Sequence, residues 1–159
     1  MTRRTLALVG VLVVAASSTA SACAPTQAVA CAGWVDLETP ADAAADADAV
    51  VIGTITGQGD DVTVMGGDAH TWTVEVAAWV GGHGDSPIVV SPMPDHCAGE
   101  DPPYPGGDPL RPFADDGTPV MLFLREGDAY DLGATAYTTL TPYQGVIPAP
   151  ADGRIPAEW

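Results

Sequence analysis

The chain has 159 residues, with 21 Asp and Glu against five Arg and no Lys, and a formal net charge of −16. So few cations cannot neutralise a phosphate backbone or draw the chain to an anionic bilayer, which excludes nucleic acid as a partner and charge as a route to the membrane. The lack of Lys removes Schiff-base and P-loop chemistry, and the lack of Asn removes N-glycosylation sequons.

Residues 1–22 read as a signal peptide. Met1–Arg4 form a positive start, Leu6–Ala16 an apolar run of about eleven residues, and Ser17–Ala22 a small-residue end. That run is too short for a permanent bilayer span. Ala20-Ser21-Ala22 directs cleavage before Cys23. The same stretch with Cys23 resembles a bacterial lipobox, with Ala20 where Leu is usual, and implies a diacylglyceryl group on Cys23. Thr2-Arg3-Arg4-Thr5-Leu6 is also similar to a twin-Arg export signal. Two acyl chains would hold the protein at a membrane without help from its charge. The mature chain keeps 21 acids and three Arg, a net of −18.

The three cysteines are Cys23, Cys31 and Cys97. In an oxidising compartment an odd thiol needs an explanation, and lipidation of Cys23 supplies one, leaving Cys31 and Cys97 to pair. Their bridge would close a 66-residue loop and contribute roughly 4 kcal/mol by chain entropy. Without lipidation, pairing of Cys23 with either partner stays open.

In the mature chain, Thr39 and Pro40 are a cap and first position for a short helix over the Ala/Asp run to Asp48. Ala49–Thr56 is expected as a central strand, apolar on both faces, with Val62 and Val64 in a separate short strand. Thr71–Val80 alternates, placing Trp72, Val74, Val76, Ala78 and Val80 on one face and Trp79 on the other. Ile88–Ser91 is a further strand. Residues 92–117 hold seven prolines and read as a long loop without elements. Val120–Arg125 is a strand, with a Gly127-Asp128 turn into a partner through Tyr130, Leu132 and Ala134. Residues 138–159 form a Pro-rich tail over the surface. No repeat is visible. The expected fold class is mostly β, about five strands with one short helix, in a small barrel or sandwich.

Three stretches in order carry a family resemblance. They are Ala47-Asp48-Ala49 running into Val50-Val51-Ile52-Gly53-Thr54-Ile55, then Trp72 to Gly82, then Cys97-Ala98-Gly99 ahead of Gly117-Thr118-Pro119-Val120-Met121-Leu122-Phe123-Leu124. Together they resemble bacterial proteins related to the netrin-like module, the OB-fold of tissue inhibitors of metalloproteinases, over Cys31 to Ala136. The resemblance implies a five-stranded OB-fold-like barrel over residues 23–137. In the animal inhibitors the mature N-terminal Cys chelates the protease zinc through its amine and carbonyl. The matching position is Cys23, and Pro25 stands where that family has its second Cys.

His70, His83, His96, Met93 and Cys97 form a superficially copper-like set, but the ligand spacing does not match a copper loop, and solvated loop histidines are the better expectation. Asp42, Asp46 and Asp48 on the helix and Asp115-Asp116 in the loop lack EF-hand spacing and read as a solvated acidic face. Ser86 and Ser91 are the only mature serines, neither in a nucleophile elbow. Trp79, Trp34 and Trp159 read as packing residues before recognition platforms.

The expectation is therefore no metal, no cofactor and no catalytic residues. The site residues are Cys23 for the lipid and Cys31 and Cys97 for the bridge. The chain reads as an exported, lipid-anchored binding module whose partner is a cell-envelope or extracellular protein. The alternative is a secreted metalloprotease inhibitor presenting the Cys23 terminus.

Overall fold

The computed structural model describes residues 33–95, 103–127, 132 and 136–159. Cys23, Cys31, Cys97 and His96 lie outside them.

Helix α1 spans Pro40–Asp46. Its start is a reciprocal capping box. Thr39 Oγ1 accepts the Asp42 amide at 3.2 Å, and the Asp42 carboxylate accepts the Thr39 amide at 3.0 Å. Pro40 needs no amide partner at the first position. Extended backbone at Ala47 ends the helix, and the Asp48 amide donates to Leu124 O at 2.9 Å, feeding the chain straight into the sheet.

Strand β1 is Ala49–Val64 and β2 is Gly67–Gly81. The two segments expected as separate strands are one continuous β1, which runs through Gly57 and Gly59. Its first residues pair with β4 (Val120–Glu126) as well as β2, whereas beyond Gly53 only β2 pairs with it. Past Gln58 and Trp72, where β2 also leaves the strand at Ile88–Ser91, the hairpin continues as a two-stranded arm. At its tip the turn residues Met65 and Gly66 have φ of 52° and 79°, the positive values that a two-residue hairpin turn requires. At Gly53 the strands approach so closely that a Cβ would stand 2.6 Å from Glu75 O.

Strict alternation along β2 fails at Ala77. Ile52 faces Ala78 and Gly53 faces Val76, so Ala77 is a bulge residue without a partner. The extra residue reverses the parity of the strand beyond it. Trp72, Val74, Val76 and Trp79 all pack on the same interior cluster, while Val80 joins a different one. Trp79 therefore does not oppose Trp72; it is half-buried with its ring 6.3 Å from that of Tyr137.

Strand β3 is Ile88–Ser91, helix α2 is Arg111–Asp116, β5 is Ala136–Thr139 and β6 is Val146–Pro148. The pairings run β1-β2-β3-β5-β4 and return from β4 to β1, closing a ring of five in which only β3–β5 is parallel. β6 adds to β4 beside β5. The protein is mostly β, with six strands and two helices among the described residues.

Helix α2 lies inside the stretch expected to lack elements. Pro112 is tolerated in its first turn, where no helical amide bond is lost, and Gly117 ends it in the left-handed region at φ 64°. Phe113 and Ala114, with buried Leu110, pack on the cluster inside the ring. The return strand expected through Tyr130, Leu132 and Ala134 falls largely outside the described residues; the pairing with β4 is made by β5. The tail is also more than a surface drape. Thr138 and Thr139 are buried in β5, β6 extends the sheet, and Ile155 packs with α1 on the outer face of β1 and β4. Trp159 sets its ring edge-on to Phe123 and donates its indole N–H to Leu37 O at 2.9 Å.

Met65 is a non-glycine residue at positive φ with 51% of its surface exposed, so it gives up conformational energy without gaining burial. Met65→Asn places a residue that tolerates this conformation at the tip. It is expected to stabilise the fold by about 0.5–1 kcal/mol, seen as a rise of a few degrees in the thermal midpoint.

Candidate functional site

The least predictable local structure surrounds Asp108, in the turn that leads into α2. Asp108 Oδ2 accepts from His70 Nε2 at 2.8 Å and from Trp72 Nε1 at 3.0 Å; Oδ1 accepts the Leu110 amide at 2.8 Å. The third of these is a local turn in which Asp bonds the backbone two residues on. The first two fasten that turn to β2 across more than thirty positions of sequence. The His70 and Asp108 side chains are only 14% and 7% exposed. A buried carboxylate receiving three N–H bonds is satisfied, and removing it would strand three donors.

His70 lies between two aromatic rings, meeting Trp72 edge-on at 5.6 Å and Tyr104 edge-on at 5.3 Å. The Tyr104 hydroxyl donates to Pro92 O at 3.0 Å. Burial, and then the Asp108 charge, hold that phenol well above its ordinary value near 10. Arg111 lays its guanidinium 5.0 Å from the centre of the Trp72 ring and donates to Gln58 Oε1 at 2.8 Å. The apolar ring interior, the α2 cap and a polar brace thus meet at one end of the sheet.

Beside this brace runs a groove of about 490 Å³. Tyr104, Asp108, Pro109 and Arg111 contribute to its lining, and so do Asp95, Pro142 and Tyr143. Tyr143 is 67% exposed, and its hydroxyl donates to the Asp95 carboxylate. It also borders a second furrow of about 350 Å³ with Trp34 and Val35, so its ring stands as a ridge between the two.

His70 is not the solvated loop residue expected; it is a β2 residue fixed by Asp108. His83 is exposed. Met93 is fully buried in the cluster with Val64, Ala69 and Tyr104, and its thioether is packed there. The acids on and after α1 are exposed, as expected, and three of them also make bonds. Asp42 caps the helix, Asp46 pairs with Arg125 at 2.8 Å, and Asp48 accepts the Glu126 amide at 2.9 Å. Ser86 Oγ bonds Glu75 and the Val76 amide, and Ser91 Oγ donates to His70 O; neither hydroxyl bonds the His70 imidazole. Sequence reasoning does not single out Asp95, Tyr104, Asp108 or Tyr143. The one signal for Asp108 is its place between Gly106-Gly107 and Pro109, which marks a turn but not its remote partners.

Tyr104 yields a pH dependence. Its folded pKa is raised, so above pH 10 the unfolded chain loses this proton while the folded chain retains it, and stability falls as pH rises. Below about pH 10 the contribution is fully present. Denaturant midpoints of the wild type are expected to decline from pH 10 upward, and more steeply than those of Tyr104→Phe. The 295 nm absorbance of one tyrosine should rise only as the protein unfolds.

No protein-family model, no curated protein and no solved structure matches the chain.

Proposed function

We propose that the protein is an exported, lipid-anchored binding module of the cell envelope, built on a netrin-like OB-fold and acting without catalysis. The observation that carries the binding reading is Tyr143. It is a large aromatic ring left mostly in water on a ridge between two grooves, on a chain otherwise heavily acidic. The OB-fold reading is supported by the five-membered ring with its single parallel closure and by α2, which lies between β3 and β4 and packs on the interior. The charge argues against the nucleic-acid use of that fold. The non-catalytic reading is supported by His70, whose Nε2 is engaged by Asp108 and whose ring is packed between Trp72 and Tyr104.

Lipidation of Cys23 and a Cys31–Cys97 bridge belong to the same proposal. The bridge is supported by its described flanks. Trp34, three residues after Cys31, packs on the cluster that contains Met93, four residues before Cys97. Trp34 and Asp95 both border Tyr143.

Mass spectrometry of protein purified from membranes is expected to find a diacylglyceryl-modified Cys23 as first residue and, without reduction, a Cys31–Cys97 linked peptide. An unmodified Cys23 amine would overturn the anchor and favour the inhibitor alternative. For the binding reading, a photo-crosslinking side chain at Val35 on intact cells should yield a discrete adduct. The same group at Val89 on β3, outside both furrows, should not; equal labelling from both positions would refute it.

A further inference from the structure

We propose that Asp95 and Tyr143 form a receptor for an arginine side chain carried on an extended, proline-rich segment of a partner protein; this rests on the binding-module reading. Tyr143 offers an exposed ring, and the hydroxyl bond to Asp95 fixes that ring beside a carboxylate. Among the described residues the Asp95 carboxylate is bonded only by this hydroxyl, at one of its two oxygens. A carboxylate held at the hydroxyl end of an exposed ring suits a planar guanidinium, which can pair with the carboxylate while its plane lies along the ring. A lysine ammonium carries the charge but neither the planar fork nor the stacking surface. The protein's own nearby cation does not fill the place, since Arg111 is turned to Gln58 and the Trp72 face.

The furrows on both sides of the ridge argue for a chain segment as the carrier. One is walled by Tyr104, Pro109 and Pro142, the other by Trp34 and Val35. An aromatic ridge flanked by two furrows suits a polyproline II strand, whose backbone is already extended and loses little entropy on docking. The mature net charge of −18 attracts a basic segment from a distance and repels acidic competitors.

The test is fluorescence anisotropy at physiological salt on the whole mature chain. The probe is a fluorescein-labelled peptide with one arginine between two proline pairs; its control carries citrulline, a neutral near-isostere, at that position. Saturable binding is expected, weakened about tenfold by citrulline, by Asp95→Asn and by Tyr143→Ala. Asp152→Asn, which removes one charge at an exposed site outside both furrows, should leave it unchanged. Asp95→Asn preserves shape, so it reads the site even if Tyr143→Ala fails to fold. Equal affinity for the citrulline peptide, or equal weakening by Asp152→Asn, would overturn the proposal and leave only diffuse attraction. If the Val35 crosslink persists and is lost in Tyr143→Ala while the arginine peptide fails, the arginine receptor is refuted and the binding module stands. If the crosslink is also absent, both fall.

Discussion

Five consecutive residues of β4, Val120 to Leu124, have no exposed surface, and the architecture follows from that constraint. A strand shows alternate side chains to opposite faces, so burying all five demands apolar cover on both. Val120, Leu122 and Leu124 face the interior of the ring; Met121 and Phe123 face outward. The interior is closed by strand pairing and by α2. The outward pair needs a separate cover, and α1 with the returning tail provides it through Ala43, Ala44, Ile147 and Ile155. The capping box at Thr39, the Arg125–Asp46 pair and the Trp159–Phe123 contact all hold that cover in place.

A second constraint is the burial of polar groups at the other end. Closing the ring with a helix introduced by Asp108 puts an indole N–H, an imidazole and a backbone amide out of water, and one carboxylate answers all three. This dependence ties one wall of the groove beside it to the sheet. Tyr104 and the turn before α2 are positioned by bonds to β2 and to Pro92, so the groove wall is an extension of the sheet.

The parts of the fold legible in sequence are those decided by local chemistry or by doubly apolar strands. Thr39-Pro40 announces a helix start, and Val50 to Ile52 and Val120 to Leu124 announce strands buried on two sides. What is not legible depends on distant partners or on a single inserted residue. Prolines conceal α2, although Pro112 occupies the one turn where proline is harmless. A bulge at Ala77 exchanges the faces of Trp79 and Val80, which a period of two cannot foresee. His70 looks like a loop histidine because its carboxylate stands 38 residues away. The Tyr143–Asp95 ridge is hidden for the same reason, its partners being 48 residues apart.

The two-stranded arm beyond Gln58 carries a liability of its own. Free strand edges present unsatisfied ladder groups to any neighbouring copy, and among the described residues no further strand pairs with the outer edge of β1 there. The arm carries Asp60, Asp61 and Asp68 along these edges, and its pairing is interrupted by a register shift between Gln58 and Asp61. Two arms approaching edge to edge would bring like charges together along mismatched ladders. Part of the acidity therefore works against copies of this chain pairing edge to edge into continuous sheets.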